Sequence, residues 1–567
     1  MKNKFFFLIF FFVFSSFLPF NQIESYSSNN DFVVNSKNKI VTNNEVENGT
    51  LIYNSIINYA DLLIEYANKS TNGWSWKRVF NFNDNYGFAG LSQFYPGYYF
   101  GAAGTGDLFI RIYELTKNNS YLTVAQKASD FIFSQSFELM PDYPIDNTSY
   151  IHWTRAIDSS TIYTGLKYGY AGISKFLLNL YQNTNNVSYL NLAERSLDSL
   201  IYYGRTDSSG RDYWGYNIWS KSGLTGYTYG TAGIGEIFLD AYKITGKQTY
   251  LNIAISSVDW IMNLTRKYET GSNQLFVVNA SATRGWDKNI SGLYTGSAGV
   301  GNYYLKLYQA TQNESYLNYS LAISRWLSAV MDDGFWHYGA VDFLTEIDIE
   351  QGYFYGLSAG SAGIGIYFLN LFKVTNDTSL LYPVNRIYNA LSSNAKSDDN
   401  GVYWTAQKNG YWNNRIYTGI GFGIAGIGKF FASILDNFGD YENTTVSKLF
   451  GINNYFKSLT NTTTGLIPHV IPYENGIVQY RSDFFDGLTG IVDFYIDTFY
   501  ALNKSEPIYI PTILESASTI QTTDIIFTST NETVPTSNFV FISPFFIFFM
   551  TSVLILTVHN RRRKNTQ

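Results

Sequence analysis

The pattern of apolar positions in the middle of the chain predicts paired helices. After each of a series of glycine clusters, apolar residues recur at helical spacing. One such run, with the spacing i, i+3, i+4, i+7 and i+8, is Ile234, Ile237, Phe238, Ala241 and Tyr242. A short turn rich in Thr and Asn follows, and a second apolar run then begins with a Tyr-Leu pair, as at Tyr121-Leu122 and Tyr189-Leu190. Each repeat is therefore predicted to be a helical hairpin.

The glycine clusters share one spacing and occur seven times. Six have the form Gly-x-x-x-Gly-x-Ala-Gly, and the seventh, Asp483-Phe-Phe-Asp-Gly487-Leu-Thr-Gly490, is a shortened version. The seven motifs occupy residues 97–104, 165–172, 226–233, 292–299, 356–363, 419–426 and 483–490. Successive central glycines are roughly 64 residues apart, which is enough chain for two helices with their loops.

The repeats predict an all-α fold, a closed (α/α)7 toroid with a double ring of seven inner and seven outer helices. Small residues at the start of the first helix of each hairpin allow several helix ends to crowd together at an inner wall. An open solenoid is the alternative, but its terminal repeats usually become polar caps. Here the motif persists to both ends of the repeat region, which favours closure.

The two rims of such a ring are predicted to differ. Four Asn-x-Ser/Thr sequons occupy the turn after an inner helix, and they predict glycosylation of one rim at Asn118, Asn186, Asn313 and Asn376. The glycine loops form the other rim. Seven inner-helix N-termini meet there, and their free N–H groups favour anionic or polar ligand groups.

Loops that enter the glycine rim are rich in tryptophan, and aromatic rings stack well on sugar faces or peptide side chains. The predicted binding residues are Trp153, Arg155, Trp214, Trp286, Trp336, His337, Trp404 and Arg415, with Trp219 and Trp412 on the same loops. The alternative is that these tryptophans pack the loops onto the ring.

Carboxylates ahead of several motifs are the candidates for hydrolytic chemistry. They are Asp158, Asp287, Asp348, Glu350 and Asp486. Glycoside hydrolysis needs one acid and one carboxylate roughly 5–5.5 Å or 6.5–9.5 Å apart. Each carboxylate alone is also compatible with a helix cap or a solvated loop charge. The Glu346-Ile-Asp348-Ile-Glu350 stretch could instead bind calcium, although it lacks the spacing of a recognised loop.

The two ends of the chain predict export and membrane anchoring. Residues 1–25 have the layout of a signal peptide, with a permanent N-terminal anchor as the alternative. A polar segment (26–47), the repeat body (48–505), a Ser/Thr-rich stalk (506–538), a transmembrane helix (539–558) and a basic tail (559–567) follow. Because positive residues stay inside, we expect a single-pass cell-membrane protein with its body outside the cell. About fifteen sequons fit this route.

Composition narrows the classes of function. With 18% aromatic and 15% charged residues the chain can bury a core, and a net charge of -6 without a basic run in the body excludes nucleic acid as an expected partner. There is no cysteine, so disulfides and thiolate metal ligands are absent.

Seven such motifs in register resemble the lanthionine synthetase C-like family, over about Asn48 to Asn503. The resemblance implies the double ring of helices and, in members with cyclase activity, a zinc ion held by two Cys and a His. The corresponding places before the fifth and sixth central glycines hold Ser358, Ala359, Gly421 and Phe422, and a family histidine corresponds to Thr295. These residues cannot replace a thiolate-imidazole set, so no metal, no cofactor and no cyclase chemistry are predicted.

Three functions remain open from the sequence. The main prediction is a non-catalytic toroid that binds an extracellular glycan or peptide. A metal-independent glycoside-active enzyme with paired carboxylates and a structural surface glycoprotein are the alternatives. An open pocket with two carboxylates would favour the enzyme, an open aromatic pocket the binding module, and a filled mouth the structural protein.

Overall fold

The computed structural model describes residues 43–79, 93–139, 149–155, 160–267, 273–277, 290–336, 352–472 and 478–504, all within the unit formed by residues 1–518. These residues contain fourteen α-helices in two alternating sets. The first set is α2 (Ala102–Thr116), α4 (Tyr170–Thr184), α6 (Thr231–Thr245), α8 (Ser297–Thr311), α10 (Ser361–Thr375), α12 (Ile424–Phe438) and α14 (Leu488–Asn503). The second set is α1 (Asn43–Glu65), α3 (Asn119–Ser134), α5 (Val187–Tyr203), α7 (Gln248–Leu264), α9 (Glu314–Ala329), α11 (Leu381–Ser393) and α13 (Thr445–Leu459).

The motifs decide where the first set of helices begins. In each motif the central glycine is the N-cap in extended conformation, and the helix starts at the next residue, as at Gly101 and Gly230. Three helices of the second set begin at a sequon asparagine whose Oδ1 accepts the N–H of the serine two residues on, at 3.0 Å; they are capped by Asn118, Asn186 and Asn313. The predicted helical hairpins are thus present in the described residues.

The even-numbered helices form an inner layer. Each packs against the next one in sequence, from α2 to α14, and α14 also packs against α2. Each odd-numbered helix packs on one inner helix: α3 on α2, α5 on α4, and so on to α13 on α12, while α1 covers α14. The mostly helical architecture predicted from the sequence is confirmed.

Backbone hydrogen bonds connect the third residues of all seven motifs. The N–H of Tyr99 donates to Lys167, Lys167 to Thr228, Thr228 to Tyr294, Tyr294 to Ser358, Ser358 to Gly421, and Gly421 to Phe485, over 2.8–3.2 Å. The N–H of Phe485 donates to the carbonyl oxygen of Tyr99 at 3.1 Å. The series of bonds therefore returns to the motif where it began.

The motif glycines are needed because neighbouring loops approach so closely. A Cβ on Gly97 would lie 2.6 Å from Cα of Tyr168 in the next motif. A Cβ on Gly172 would lie 2.2 Å from the carbonyl oxygen of Leu166 and 2.7 Å from the side chain of Tyr98. These distances are shorter than any side chain tolerates, so glycine is required for packing here rather than for a special turn.

Short antiparallel strand pairs, which the sequence does not predict, lie between outer helices and glycine loops of the mostly helical fold. The pairs are β1 (Asn68–Ser70) with β2 (Gly73–Ser75), β3 (Phe137–Leu139) with β4 (Tyr150–His152), β5 (Arg205–Thr206) with β6 (Asp212–Tyr213), β7 (Thr265–Lys267) with β8 (Leu275–Val277), and β9 (Lys396–Asp398) with β10 (Gly401–Tyr403). A sixth pair, β11 (Ile416–Tyr417) with β12 (Val470–Ile471), connects two loops. Strands of two or three residues leave no alternating pattern that could predict them.

The predicted signal peptide, stalk, transmembrane helix and basic tail lie outside the described residues, as does the predicted 26–47 segment up to residue 42. In the described part of the chain, no helix combines the length and apolarity that a membrane span requires.

Candidate functional site

Buried aromatic rings from three of the glycine motifs pack against one another. Tyr99, Tyr294 and Phe485, which all belong to the hydrogen-bonded series of motif residues, have ring centroids 5.3, 5.5 and 6.0 Å apart. All three side chains are buried. We call this group the aromatic layer. Its three members come from the first, fourth and seventh motifs.

Lys167 lies among the aromatic side chains around this layer. Its Nζ is 4.8 Å from the ring centroids of both Phe100 and Tyr229 and 5.9 Å from that of Phe485, and it donates a hydrogen bond to the Tyr229 hydroxyl. Ring faces attract a cation through their quadrupole. Of the seven third residues of the motifs, Lys167 alone is charged.

Arg78 stacks on the ring of Phe100, which Lys167 also approaches. Its guanidinium carbon is 3.7 Å from the centroid of Phe100. Its Nε donates to Asp483 at 3.2 Å and its Nη2 to Asp486 at 3.1 Å, while Arg481 Nη1 donates to Asp486 at 2.7 Å. These four residues form an ion-pair network that ties the chain before the first motif to the seventh motif.

The two carboxylates of this network have diverging pKa values. Burial raises the pKa of Asp483 to about 6, against the opposing effect of Arg78. Burial would also raise the pKa of Asp486, but Arg481 and Arg78 outweigh it and lower that pKa below its usual value. Such a split suits acid–base chemistry. However, the Asp483 side chain has 0% exposure, so it cannot protonate a substrate where it lies.

Arg155, a predicted binding residue, adds a further cation. Its guanidinium carbon is 5.4 Å from the ring of Tyr168, which also lies 5.3 Å from Lys167 Nζ. Within the described residues, its buried Nε has no acceptor. We call the region containing Arg78, Arg155, Lys167, Arg481 and Asp486 the mouth.

Four of the predicted tryptophans are buried and do not line the mouth. Their side chains are at most 3% exposed, and each indole N–H donates to a carbonyl oxygen in the last turns of an outer helix, at 2.7–2.8 Å. The donors are Trp153, Trp214, Trp336 and Trp404. The expectation that they contact a ligand is corrected, because both their surface and their polar group are already used to pack loops onto helices.

The remaining predicted residues fall into two groups. Arg415 is half-buried, with its guanidinium 5.8 Å from the exposed ring of Tyr411; Trp412 is half-buried and Trp219 is 58% exposed. The predicted residues Trp286, His337, Asp158, Asp287, Asp348 and Glu350 lie outside the described residues. Among the predicted carboxylates, Asp486 is therefore the one whose surroundings are described.

The places of the family's zinc ligands do not fit a metal. Ser358 and Gly421 belong to the series of backbone hydrogen bonds, and Ala359, Phe422 and Thr295 supply a methyl group, a phenyl ring and a hydroxyl. None of these is a ligand that holds zinc in proteins. No group of three or more His, Cys, Asp or Glu that could hold a metal occurs in the described part of the chain.

Sequence reasoning missed Arg78 and Lys167, although the repeat register contains signals for both. Trp76-Lys77-Arg78 and Trp153-Thr154-Arg155 are the same Trp-x-Arg pattern in consecutive repeats, but only the second is among the predicted binding residues. Lys167 is a lysine at a motif position where the other repeats have aromatic, small or hydroxyl residues.

Comparison with known proteins supports the resemblance found in the motifs. Residues 146–286 match the family model of lanthionine synthetase C-like proteins. This range contains the second and third motifs, and over it the predicted resemblance is confirmed. A comparison with curated proteins finds no match.

Solved structures similar to this chain include several carbohydrate-active enzymes. A family 76 glycoside hydrolase from a bovine Bacteroides thetaiotaomicron strain is 15% identical over 81% of this chain and 78% of its own, with a TM-score of 0.45. Cellobiose 2-epimerase from Bacillus thermoamylovorans is 14% identical over 64% and 91%, with a TM-score of 0.40. An alpha-1,6-mannanase from Salegentibacter is 13% identical over 80% and 100%, with a TM-score of 0.40. At these identities and scores no activity is transferred to this chain.

Proposed function

We propose that this protein is a membrane-anchored, extracellular binding module whose mouth holds an acidic group of a glycan. Its body is a closed ring of seven inner and seven outer helices. The contact of α14 with α2 and the hydrogen bond from Phe485 back to Tyr99 support closure. In such a ring the mouth lies at one end of the axis, above the aromatic layer.

The excess of cations in the mouth is the observation that carries the proposal. Four basic side chains lie there, Arg78, Arg155, Lys167 and Arg481, against the carboxylates of Asp483 and Asp486. The N-termini of the inner helices add partial positive charge at the same end. An anionic group is the ligand that this combination favours.

Aromatic surface beside Lys167 and on the loops that enter the glycine rim favours a sugar as the carrier of that anionic group. Tyr229 is half-buried beside Lys167, and the side chains of Trp219 and Tyr411 are 58% and 62% exposed on loops before the third and sixth motifs. Rings of this kind stack on the apolar face of a sugar. An acidic peptide is the alternative ligand, and the test below separates the two.

The two alternatives, a hydrolase and a structural glycoprotein, each account for part of the structure. A hydrolase would need a second carboxylate beside Asp486, and the one described there, Asp483, is fully buried and paired with Arg78. The other predicted carboxylates lie outside the described residues. A structural glycoprotein would account for the aromatic layer, since a filled axis needs no ligand. It accounts less directly for the grouping of four basic side chains at the mouth.

Detergent-purified full-length protein on arrays of acidic glycans, neutral glycans and acidic peptides tests the binding proposal. We expect retention of glycans that carry carboxylate or sulfate groups, and at least tenfold weaker retention for Lys167→Met and Arg155→Met. Lys221→Met, at an exposed position on a nearby loop, is the matched control and should bind like the wild type. Retention of peptides alone, or equal retention by all variants, would overturn the proposal.

The proposed topology and glycosylation have tests of their own. Ser188→Ala removes the sequon of Asn186 but leaves the backbone N–H that Asn186 caps, so a loss of one glycan in mass should come without a loss of helix stability. A tag after Gln567 should be inaccessible from outside intact cells. Accessibility of that tag, or no change in mass for Ser188→Ala, would contradict these assignments.

A further inference from the structure

A second polar region lies on the inner helices, beyond the aromatic layer from the mouth. It is built from residues six and ten positions after the central glycines. Neighbouring inner helices are linked there by Asn179 to Asp107 at 2.7 Å, by Lys306 to Glu236, and by Lys429 to Asp493 at 2.6 Å. The outer helices cover the other face of the inner helices, so these side chains face the axis.

Solvent reaches this region from the rim that carries the sequons. Towards the C-terminal ends of the inner helices, the side chains of Arg111, Lys306 and Asp497 are 30%, 35% and 30% exposed. One turn deeper, the side chains of Glu236 and Asp493 are 4% and 5% exposed. The exposure of these polar side chains therefore falls from the sequon rim towards the aromatic layer, and we call this polar region the recess.

Glu236 has an acceptor atom in this recess that is not used. Its Oε1 accepts hydrogen bonds from the Tyr227 hydroxyl at 2.9 Å and from Lys306 Nζ. Its Oε2 is buried, and no donor among the described residues reaches it. A buried carboxylate oxygen without a donor is unfavourable, and a ligand donor would remove that penalty.

Asp240 lies one helical turn from Glu236 towards the sequon rim. Its side chain is 37% exposed, and its described hydrogen bond is the 3.4 Å contact with Lys243 on the same helix. Burial, and then the charge of Glu236, raise its pKa. Glu236 and Asp240 thus offer hydrogen-bond acceptors on the same face of α6, one helical turn apart.

The charges that face this pair restrict the class of ligand. Lys306 from α8, Lys175 from α4 and Lys243 from α6 itself all act on Asp240. An ammonium ligand would be repelled by the three lysines, and an anion by the two carboxylates. A neutral hydroxyl can donate a hydrogen bond to a carboxylate and accept one from a lysine at the same time. The carboxylates and the lysines therefore both favour a hydroxyl-bearing ligand.

We propose that Glu236, Asp240 and Lys306 form a site for a small neutral polyhydroxylated molecule of about the size of one sugar. One ligand hydroxyl donates to Glu236 Oε2, a second donates to Asp240, and Lys306 Nζ donates to a ligand oxygen. The half-buried ring of Tyr227 provides an apolar surface beside them. The site rests on the proposed ring of helices but is independent of the ligand proposed for the mouth.

Saturation-transfer difference NMR on the full-length protein tests this site, with D-glucose and myo-inositol as neutral probes and spermidine and glucuronate as charged ones. We expect saturable signals for a neutral probe and at least a fivefold loss of affinity in Glu236→Gln and in Asp240→Asn. Gln keeps an acceptor for Tyr227 but puts an NH2 group where Oε2 was. Asp130→Asn, at an exposed carboxylate on α3, is the control that should bind normally.

The outcomes decide the proposal even if one variant folds poorly. Asp240 is partly exposed, so Asp240→Asn alone is decisive if thermal unfolding shows that Glu236→Gln is damaged. The site is overturned if no neutral probe saturates, if a charged probe binds more tightly than the neutral one in Lys167→Met, where the mouth no longer contributes, or if Glu236→Gln and Asp240→Asn both bind the neutral probe like the wild type. Loss of neutral-probe binding in Lys167→Met would also overturn it, because the probe would then occupy the mouth.

Discussion

At the scale of single residues, His469 shows how burial beside a cation couples stability to pH. The side chain is 2% exposed, and its Nδ1 lies 3.4 Å from the Gln479 carbonyl oxygen. Burial and then the charge of Arg481 lower the pKa of His469 to about 3, with a smaller opposing effect of Asp486. The folded protein therefore keeps this imidazole neutral at pH values where the unfolded chain protonates it.

Acidification is thus predicted to destabilise the protein through this residue. With an unfolded pKa near 6.5, the stability present at neutral pH is lost as pH falls towards 3, by about 2 kcal/mol between pH 7 and pH 5. The raised pKa of Asp483 has the opposite effect: below about pH 6 its protonation stabilises the folded state. This effect is the same in the wild type and in a His469 variant, so it cancels when the two are compared.

Urea unfolding at pH 7 and pH 5 measures this effect, with His469→Gln as the comparison. The variant should lose about 2 kcal/mol less than the wild type over this interval, because it has no imidazole to protonate. Equal losses in the two proteins would show that His469 is not held neutral in the folded state.

Residue types were easier to predict than side-chain directions. The tryptophans of the rim loops stand out in the sequence, but whether an indole faces a ligand or a helix end depends on contacts such as that of Trp404 with the Leu391 carbonyl oxygen. Those contacts bring together residues of a loop and of the helix before it. The Trp-x-Arg repeat is different, because the same spacing at Arg78 and Arg155 could have been read from the sequence.

At the scale of elements, the glycine motif encodes both the start of a helix and the distance to its neighbour. In the third motif Gly233 faces Leu166 of the second motif, where a Cβ would lie 2.8 Å from the leucine side chain. Gly172 lies against Leu166 and Tyr98, as described above. Because the motif recurs with one spacing, the inner helices could be predicted from the sequence, whereas the two- and three-residue strands could not.

Replacing a motif glycine by alanine should therefore be far more harmful than its small change in volume suggests. Gly172→Ala places a Cβ 2.2 Å from a backbone oxygen, so we expect a loss of at least about 2 kcal/mol. Gly49→Ala in α1 is the matched control, since its Cβ would meet Asn503 at an ordinary 3.5 Å. The control should be neutral or stabilising by up to about 1 kcal/mol, because Ala is the better helix former.

Chemical unfolding of both glycine variants gives these values directly. If Gly172→Ala were as stable as Gly49→Ala, the result would contradict the claim that Gly172 lies too close to its neighbours to accept a side chain.

At the scale of the whole molecule, the first and last inner helices are joined by an ion-pair cluster. Arg111 of α2 contacts Asp493 and Asp497 of α14, and Lys429 of α12 contacts the same two carboxylates. Burial opposes the charged form of Asp493, yet Arg111 and Lys429 lower its pKa to about 2. This contact joins residues that are far apart in the sequence. The persistence of the motif along the chain therefore favours closure of the ring but could not predict this contact.

Removing Arg111 should loosen this junction. Arg111→Met leaves Asp493 and Asp497 with Lys429 as their remaining described cation, and we expect a loss of about 1–2 kcal/mol, since the pair is partly exposed. Lys127→Met, which breaks an exposed pair with Asp130, should change stability by less than about 0.5 kcal/mol. Equal unfolding free energies for the two variants would contradict a close contact between α2 and α14.

The most direct test of the cationic mouth is its discrimination between an acidic glycan and the same glycan with its acidic groups removed. Calorimetric titration of the wild type should give at least a tenfold preference for the acidic form, and the double variant Arg155→Met/Lys167→Met should bind both forms alike. Equal affinity of the wild type for the two forms, or a preference that survives in the double variant, would contradict the account.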